Sequence, residues 1–133
     1  MKERETKILE LLAREKKLEV AALAQVLGVS SVTVRKDLDT LEEKGVLRRE
    51  HGYALLKSED DLSSRLAYHY ACKGRIAKRA AALVADGETV MIESGSCCAL
   101  LAEEICTSRR DVTIVTNSAF IAGFVRQKPH AHV

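Results

Sequence analysis

Ser30, Ser31, Thr33, Arg35 and Lys36 fall within a span of seven residues and set short hydroxyls beside two permanent cations. That combination suits an anionic polymer with hydrogen-bonding edges: cations meet phosphates and base edges, and short hydroxyls read at close range. The spacing turns the inventory into a surface. Val34, Leu38 and Leu41 recur at steps of four and three, so a helix over these residues buries one face and shows the polar residues on the other. Ser30 is an N-cap, its hydroxyl accepting from a free amide of the first turn.

The elements that must hold this surface lie on either side. Leu23, Val26 and Leu27 give a preceding helix an apolar face, and Gly28-Val29-Ser30 interrupts it. A Gly can take the positive φ of a sharp helix exit, and Val29 can bury in the corner. Gly45 closes the second helix. Helix, tight turn and polar-tipped helix are helix-turn-helix logic, in which the N-terminal part of the recognition helix faces base edges. The rival is an ordinary helical hairpin with a solvated face. Cap, turn and charge placement agree with one another, which favours DNA.

A first helix spans 3–14, with Ile8, Leu11 and Leu12 on one face and Arg4, Lys7 and Arg14 outside it. Leu18-Glu19-Val20 alternates like a short strand. After Gly45, two extended runs flank a turn near Glu50, His51 and Gly52, the pattern of a hairpin. A hairpin directly behind a recognition helix makes a winged helix, and Arg48, Arg49 and His51 at its tip would reach phosphates or the minor groove. An edge hairpin kept soluble by its cations fits these three residues equally well.

The polar, acidic stretch 58–70 reads as a linker between a DNA-binding domain, 1–57, and a second domain, 71–133. A helix around 73–85 turns Ile76, Ala80, Leu83 and Val84 inward, and Asp86-Gly87 stops it. Two similar units follow. A strand over 89–93 leads through Ser94-Gly95-Ser96 into a helix over 97–106 that packs through Leu101 and Ile105, and a strand over 112–116 leads through Asn117-Ser118 into a helix over 119–126. Strand–helix–strand–helix order predicts a parallel pair with a right-handed crossover, its loops at the carboxyl ends of the strands, where ligands bind in open α/β sheets. The expected architecture is an α+β winged helix-turn-helix domain followed by a partial α/β, parallel-strand domain.

Bulk properties narrow the classes of function. The chain has 133 residues, 47% hydrophobic and 30% charged, as expected of a globular protein. Its net charge is only +2, so affinity for an acidic partner rests on local placement. Up to Lys57 there are twelve Lys/Arg against ten Asp/Glu; beyond it, nine against nine. No run approaches a membrane span, and the charged start MKERETKILE lacks the apolar core of a signal peptide, so a cytoplasmic location is expected, with no membrane contact. Cys72, Cys97, Cys98 and Cys106 include no C-x-x-C pair, and neither they nor His69 follow a recognised metal-ligand spacing. No metal and no cofactor are expected. His130 and His132 read as a solvated tail.

The stretch LAQVLGVSSVTVRKDLDTLEEKGVLRREHG resembles the helix-turn-helix and wing of DeoR-type bacterial transcriptional regulators, the family named for the deoxyribose operon repressor. Arg65, the Lys73…Ile76-Ala77 pattern, ESGSC and TNSAFIA extend the resemblance from Glu3 to about Phe124. The resemblance implies a repressor of a sugar or carbohydrate operon, acting as a homo-oligomer on a double-stranded operator. It also implies a sensor domain resembling sugar-phosphate isomerases that binds a phosphorylated sugar or related metabolite. On this sequence the effector residues would be Ser94, Gly95, Ser96, Thr116, Asn117 and Ser118, set at helix N-termini whose free amides favour an anion. The alternative is that Ser96 and Asn117 are helix caps that merely hold tight turns.

Two stretches depart from the family pattern. Tyr53 stands where a second Gly usually follows His-Gly, and Glu93 with Gly95-Ser96-Cys97 stands where Asp and Gly-Thr-Thr are usual. Two parallel strands alone leave apolar faces uncovered, so the sensor part is expected to be truncated or covered by a dimer partner. Two rival functions remain. One is a redox-responsive DNA-binding regulator using Cys97 and Cys98 near a helix N-terminus. The other is a sugar-phosphate isomerase-like enzyme fragment, for which no base stands near a nucleophile and no catalytic residue can be named.

Overall fold

The computed structural model describes residues 3–56, 62–126, 128 and 131–133, and the chain divides into two compact units, Met1–Tyr70 and Ala71–Val133. The acidic run 58–61 and the residues Pro129 and His130 lie outside the described residues.

The first unit opens with α1 (Glu3–Glu15), β1 (Lys17–Glu19), α2 (Val20–Leu27) and α3 (Ser31–Glu43). Helix α1 buries Ile8, Leu9 and Leu12; Leu9, not Leu11, completes the inward stripe. Arg4 is not on a purely solvated face either, because it reaches across to α3. In α2 the buried residues are Val20, Leu23 and Ala24, whereas Val26, expected inside, is 60% exposed. The α2 exit is a Schellman turn: Gly28 has φ 65°, its amide donates to the Gln25 carbonyl at 3.3 Å, and the Val29 amide donates to Ala24 at 3.1 Å. Val29 itself is half-buried in the corner.

Helix α3 buries Val34, Leu38 and Leu41 completely, each contributing roughly 1.5–3 kcal/mol of apolar burial. A second Schellman turn ends it at Gly45, φ 70°, with the Val46 amide 3.0 Å from the Leu41 carbonyl. Strands β2 (Arg48–Glu50) and β3 (Tyr53–Leu55) then form an antiparallel hairpin, and β1 pairs with the other edge of β3. The sheet order is β1-β3-β2. Glu50 sits opposite Tyr53, so the loop is only His51-Gly52, with φ of 47° and 85°. Two positive φ values are what a type I′ hairpin turn requires.

The described part of the expected linker is not extended. Leu62–Ala67 forms α4, which packs on α1 with Leu66 and Ala67 fully buried.

The second unit contains most of α5 (Tyr70–Ala81), then β4 (Thr89–Ile92), α6 (Ser96–Ser108), β5 (Val112–Thr116), α7 (Ala119–Val125) and β6 (Ala131–His132). Strands β4 and β5 are parallel, with Ile92 opposite Thr116, as the strand–helix order predicts. The tail is not merely solvated: β6 adds to β5 in parallel and makes the order β4-β5-β6. Two expected helix faces are rotated. Helix α5 buries Ala77 and Ala81 and leaves Ile76 59% exposed, with Leu83 beyond it 86% exposed. Helix α6 buries Leu100, Ala102 and Ile105 rather than Leu101. Thr113 closes the strand entry by donating its amide to Glu88, and the Gly87 amide donates to Arg110, both at 2.9 Å.

Candidate nucleic-acid interface

The polar surface is built from the start of α3. The Ser30 hydroxyl accepts from the Thr33 amide at 3.2 Å and lies 2.9 Å from the Thr33 hydroxyl. Ser30 therefore caps the helix as its type suggests, and Thr33 is half-buried beside it. Ser31 and Arg35 lie one helical turn apart, as do Val32 and Lys36, which places the four in two adjacent rows. Arg35 and Lys36 are exposed and form no ion pair among the described residues. The opposite face is locked inward by Val34, Leu38 and Leu41, together with Asp37, which is 2% exposed. Asp37 accepts from Arg4 of α1 through both carboxylate oxygens, one contact being 2.9 Å from Nη2.

The hairpin cations are placed differently from one another. Arg48 is exposed and pairs with Glu50 at 3.2 Å. His51 and Gly52 form the exposed tip. Arg49 does not project from the tip. Its amide donates to Glu42 Oε1 at 2.8 Å, its Nε to Glu42 Oε2 at 3.0 Å, and its Nη2 to Asp39 Oδ1. The Arg49 backbone amide is the main influence holding the Glu42 carboxyl below the usual carboxylate range; burial opposes it, and the guanidinium adds a lesser downward pull. Lys17 Nζ lies 4.4 Å from the centre of the Tyr53 ring, so the residue replacing the family's second Gly stacks under a cation.

Sequence reasoning missed Val32, which is 59% exposed in the midst of the polar rows. It falls outside the 34/38/41 spacing, and that was the available signal. An exposed aliphatic group there is suited to a thymine methyl in a major groove.

The second candidate site lies at the carboxyl ends of β4 and β5, which brings the Ser94-Gly95-Ser96 and Thr116-Asn117-Ser118 loops together on neighbouring strands. Gly95, not Ser96, is the N-cap of α6, and its φ of 167° is extended backbone open to any residue. Ser118, not Asn117, caps α7 by accepting from the Ile121 amide at 3.3 Å. The Ser118 amide in turn donates to the Thr116 hydroxyl at 3.1 Å. These two hydroxyls hold the turn, while Ser94 and Asn117 are exposed and Ser96 is half-buried. Cys97 is exposed and Cys98 partly so. Burial pushes the Cys106 thiol up, against a weaker pull from Lys128.

Among the described residues no helix is long and apolar enough to cross a membrane, and no three His, Cys, Asp or Glu side chains cluster to hold a metal.

Comparison with known proteins covers both units. The DeoR-like helix-turn-helix domain matches residues 4–60, and the DeoR C terminal sensor domain matches residues 68–133. The HTH-type transcriptional regulator GolR of Listeria innocua is 36% identical over 98% of this chain and 53% of its own length. The transcriptional repressor AccR of Agrobacterium fabrum is 32% identical over 86% of this chain and 46% of its own. A lactose phosphotransferase system repressor of Staphylococcus aureus is 34% identical over 98% of this chain and 53% of its own. The chain thus spans about half the length of the curated relatives it matches. No solved structure gives a significant match.

Proposed function

This chain belongs to the DeoR family of transcriptional regulators, and from that premise we propose that it binds double-stranded DNA through α3 and represses a sugar or carbohydrate operon. The observation that carries the reading is the pairing state of the cations. Arg4, Arg48 and Arg49 are each neutralised by a carboxylate, whereas Arg35 and Lys36 at the exposed start of α3 have no such partner among the described residues. A phosphate backbone supplies the missing counter-charge, and Ser31, Thr33 and Val32 then face base edges. The β2–β3 hairpin behind α3 supports the winged form of the motif, with His51 at its tip as a backbone contact; Arg48, expected at the tip, lies at the far end of β2 opposite Leu55 and pairs with Glu50. A homodimer would set two such helices about 34 Å apart, one turn of duplex.

The second unit we read as an effector-sensing domain of the sugar-phosphate-isomerase type. The two adjoining loops and the free amides at the start of α6 support a phosphorylated sugar near Ser94, Gly95 and Ser96. Asn117 completes the donors, while Thr116 and Ser118 hold its turn. The relatives are transcriptional regulators, which supports binding rather than turnover, and a place in the cytoplasm with the operator.

The test is a mobility shift of the full chain on the DNA upstream of its own gene, at two salt concentrations, with a scrambled duplex as control. Preferential retardation that weakens steeply with salt is expected. Equal affinity for both duplexes, or none for either, would contradict the proposal.

A further inference from the structure

Arg49 has the sequence position of a wing contact, yet its amide, Nε and Nη2 are turned back onto α3. Its amide and Nε hold the two oxygens of Glu42 at 2.8 and 3.0 Å, and Nη2 holds Asp39. Asp39 is the residue four positions after Arg35 and three after Lys36, the distances at which oppositely charged side chains meet along a helix. Left alone, Asp39 would fold back over the reading face and neutralise the cations that face needs. Glu42 adds a second negative charge one turn further on. Arg48 and Glu50 on the same strand pair with each other.

We infer that Arg49 is a positioning residue for DNA binding. It draws Asp39 and Glu42 toward the hairpin and keeps Arg35 and Lys36 without a counter-charge. Two independent anchors already tie the hairpin to the rest of the unit: the Val20 amide bonds Gly52 at 2.9 Å, and the Leu56 amide bonds Lys16 at 3.2 Å. Val46 and Leu47 are also buried at its base. The hairpin therefore does not need Arg49 in order to form, and the arginine's distinct contribution is electrostatic. The inference rests on the DNA-binding reading and assigns this one arginine a role opposite to that of a phosphate contact.

The two roles separate by rescue. Fluorescence anisotropy would follow the full chain on a labelled duplex from its own upstream region, for wild type, Arg49→Gln, Asp39→Asn/Glu42→Gln, and the triple variant. The positioning role predicts that Arg49→Gln weakens binding about tenfold, a size usual for coupled neighbours, and that the triple variant returns to within about twofold of wild type. A direct phosphate contact predicts instead that the loss persists when both carboxylates are gone, and that result would overturn the inference. So would an Arg49→Gln variant that binds like wild type. Urea unfolding of each variant shows whether the fold is kept. No binding by the wild-type chain at all would sink the DNA-binding reading itself, which keeps the two failures distinct.

Discussion

The guanidinium of Arg4 in α1 straddles the buried carboxylate of Asp37 in α3, bonding both of its oxygens. Asp37 is 2% exposed, one residue from Lys36 and two from Arg35. The pair fixes which way α3 is turned: with Asp37 held inward, the residues on the opposite side of the helix must face outward. A buried carboxylate is tolerable only with such a partner.

Removing Arg4 should therefore cost more than a surface charge. Arg4→Met is expected to destabilise the first unit by about 1–3 kcal/mol, because Asp37 would be left unpaired. Adding Asp37→Leu should recover most of that loss, a coupling that urea unfolding of the single and double variants would measure. Simple additivity would mean the ion pair does not hold the helix.

The cap at Ser30 is a local device with a local cost. Ser30→Ala should destabilise by about 1 kcal/mol and Ser30→Asp by far less, since the carboxylate can accept from the Thr33 amide in the same way. Equal losses for both would show that the hydroxyl does something other than cap.

Stability in acid follows from Glu42, whose folded pKa is lowered first by the Arg49 amide. A depressed carboxyl contributes stability that is present above its unfolded pKa and is lost as the pH falls through the folded value. The urea midpoint of the wild type should thus fall more than that of Glu42→Gln as pH drops from neutral through the carboxylate range. Parallel curves would remove Glu42 from the account.

Thiol reactivity should divide by burial. Cys72 and Cys97 are exposed and should react with a disulfide reagent in the folded protein. Cys106 is buried with its thiol pKa raised, and should react only in denaturant. The redox alternative adds a separate demand, that diamide changes DNA binding and Cys97→Ser abolishes the change. Binding indifferent to diamide would discard it.

What was legible in the sequence was whatever local chemistry decides. Ser30, Gly28 and Gly45 do what their residue types favour at helix ends, and strand 112–116 stands where alternation and β-branched residues put it. Helix faces were legible only where one stripe was clearly apolar. Helix α5 carries Tyr70, Ile76, Ala77, Ala80 and Ala81 around much of its circumference, so hydrophobicity favoured Ile76 while close packing chose the small Ala77 and Ala81. Adjacent Leu100 and Leu101 posed the same ambiguity. The hairpin pattern places Arg49 at the tip, whereas the register sets it opposite Ala54 within the strand pair. In a strand it shares a face with the buried Leu47, and that parity was the missed clue. Strand β6 has only two residues, too few for any period to appear.

Among base-facing and phosphate-facing side chains the ranking is specific. Arg35→Ala should cost about 1–3 kcal/mol of operator binding, whereas Lys7→Ala, exposed on α1, should change it little. Anisotropy titrations of the two variants would expose an equal effect, which would dissolve the assignment of α3.

The most direct measurement is a heteronuclear NMR titration of the labelled chain with a duplex from its own upstream region. The account predicts that the amides of Ser30, Ser31, Val32, Thr33, Arg35 and Lys36 shift first and furthest, followed by those of the His51-Gly52 tip. Perturbations confined to other surfaces, with the start of α3 unmoved at saturation, would contradict it.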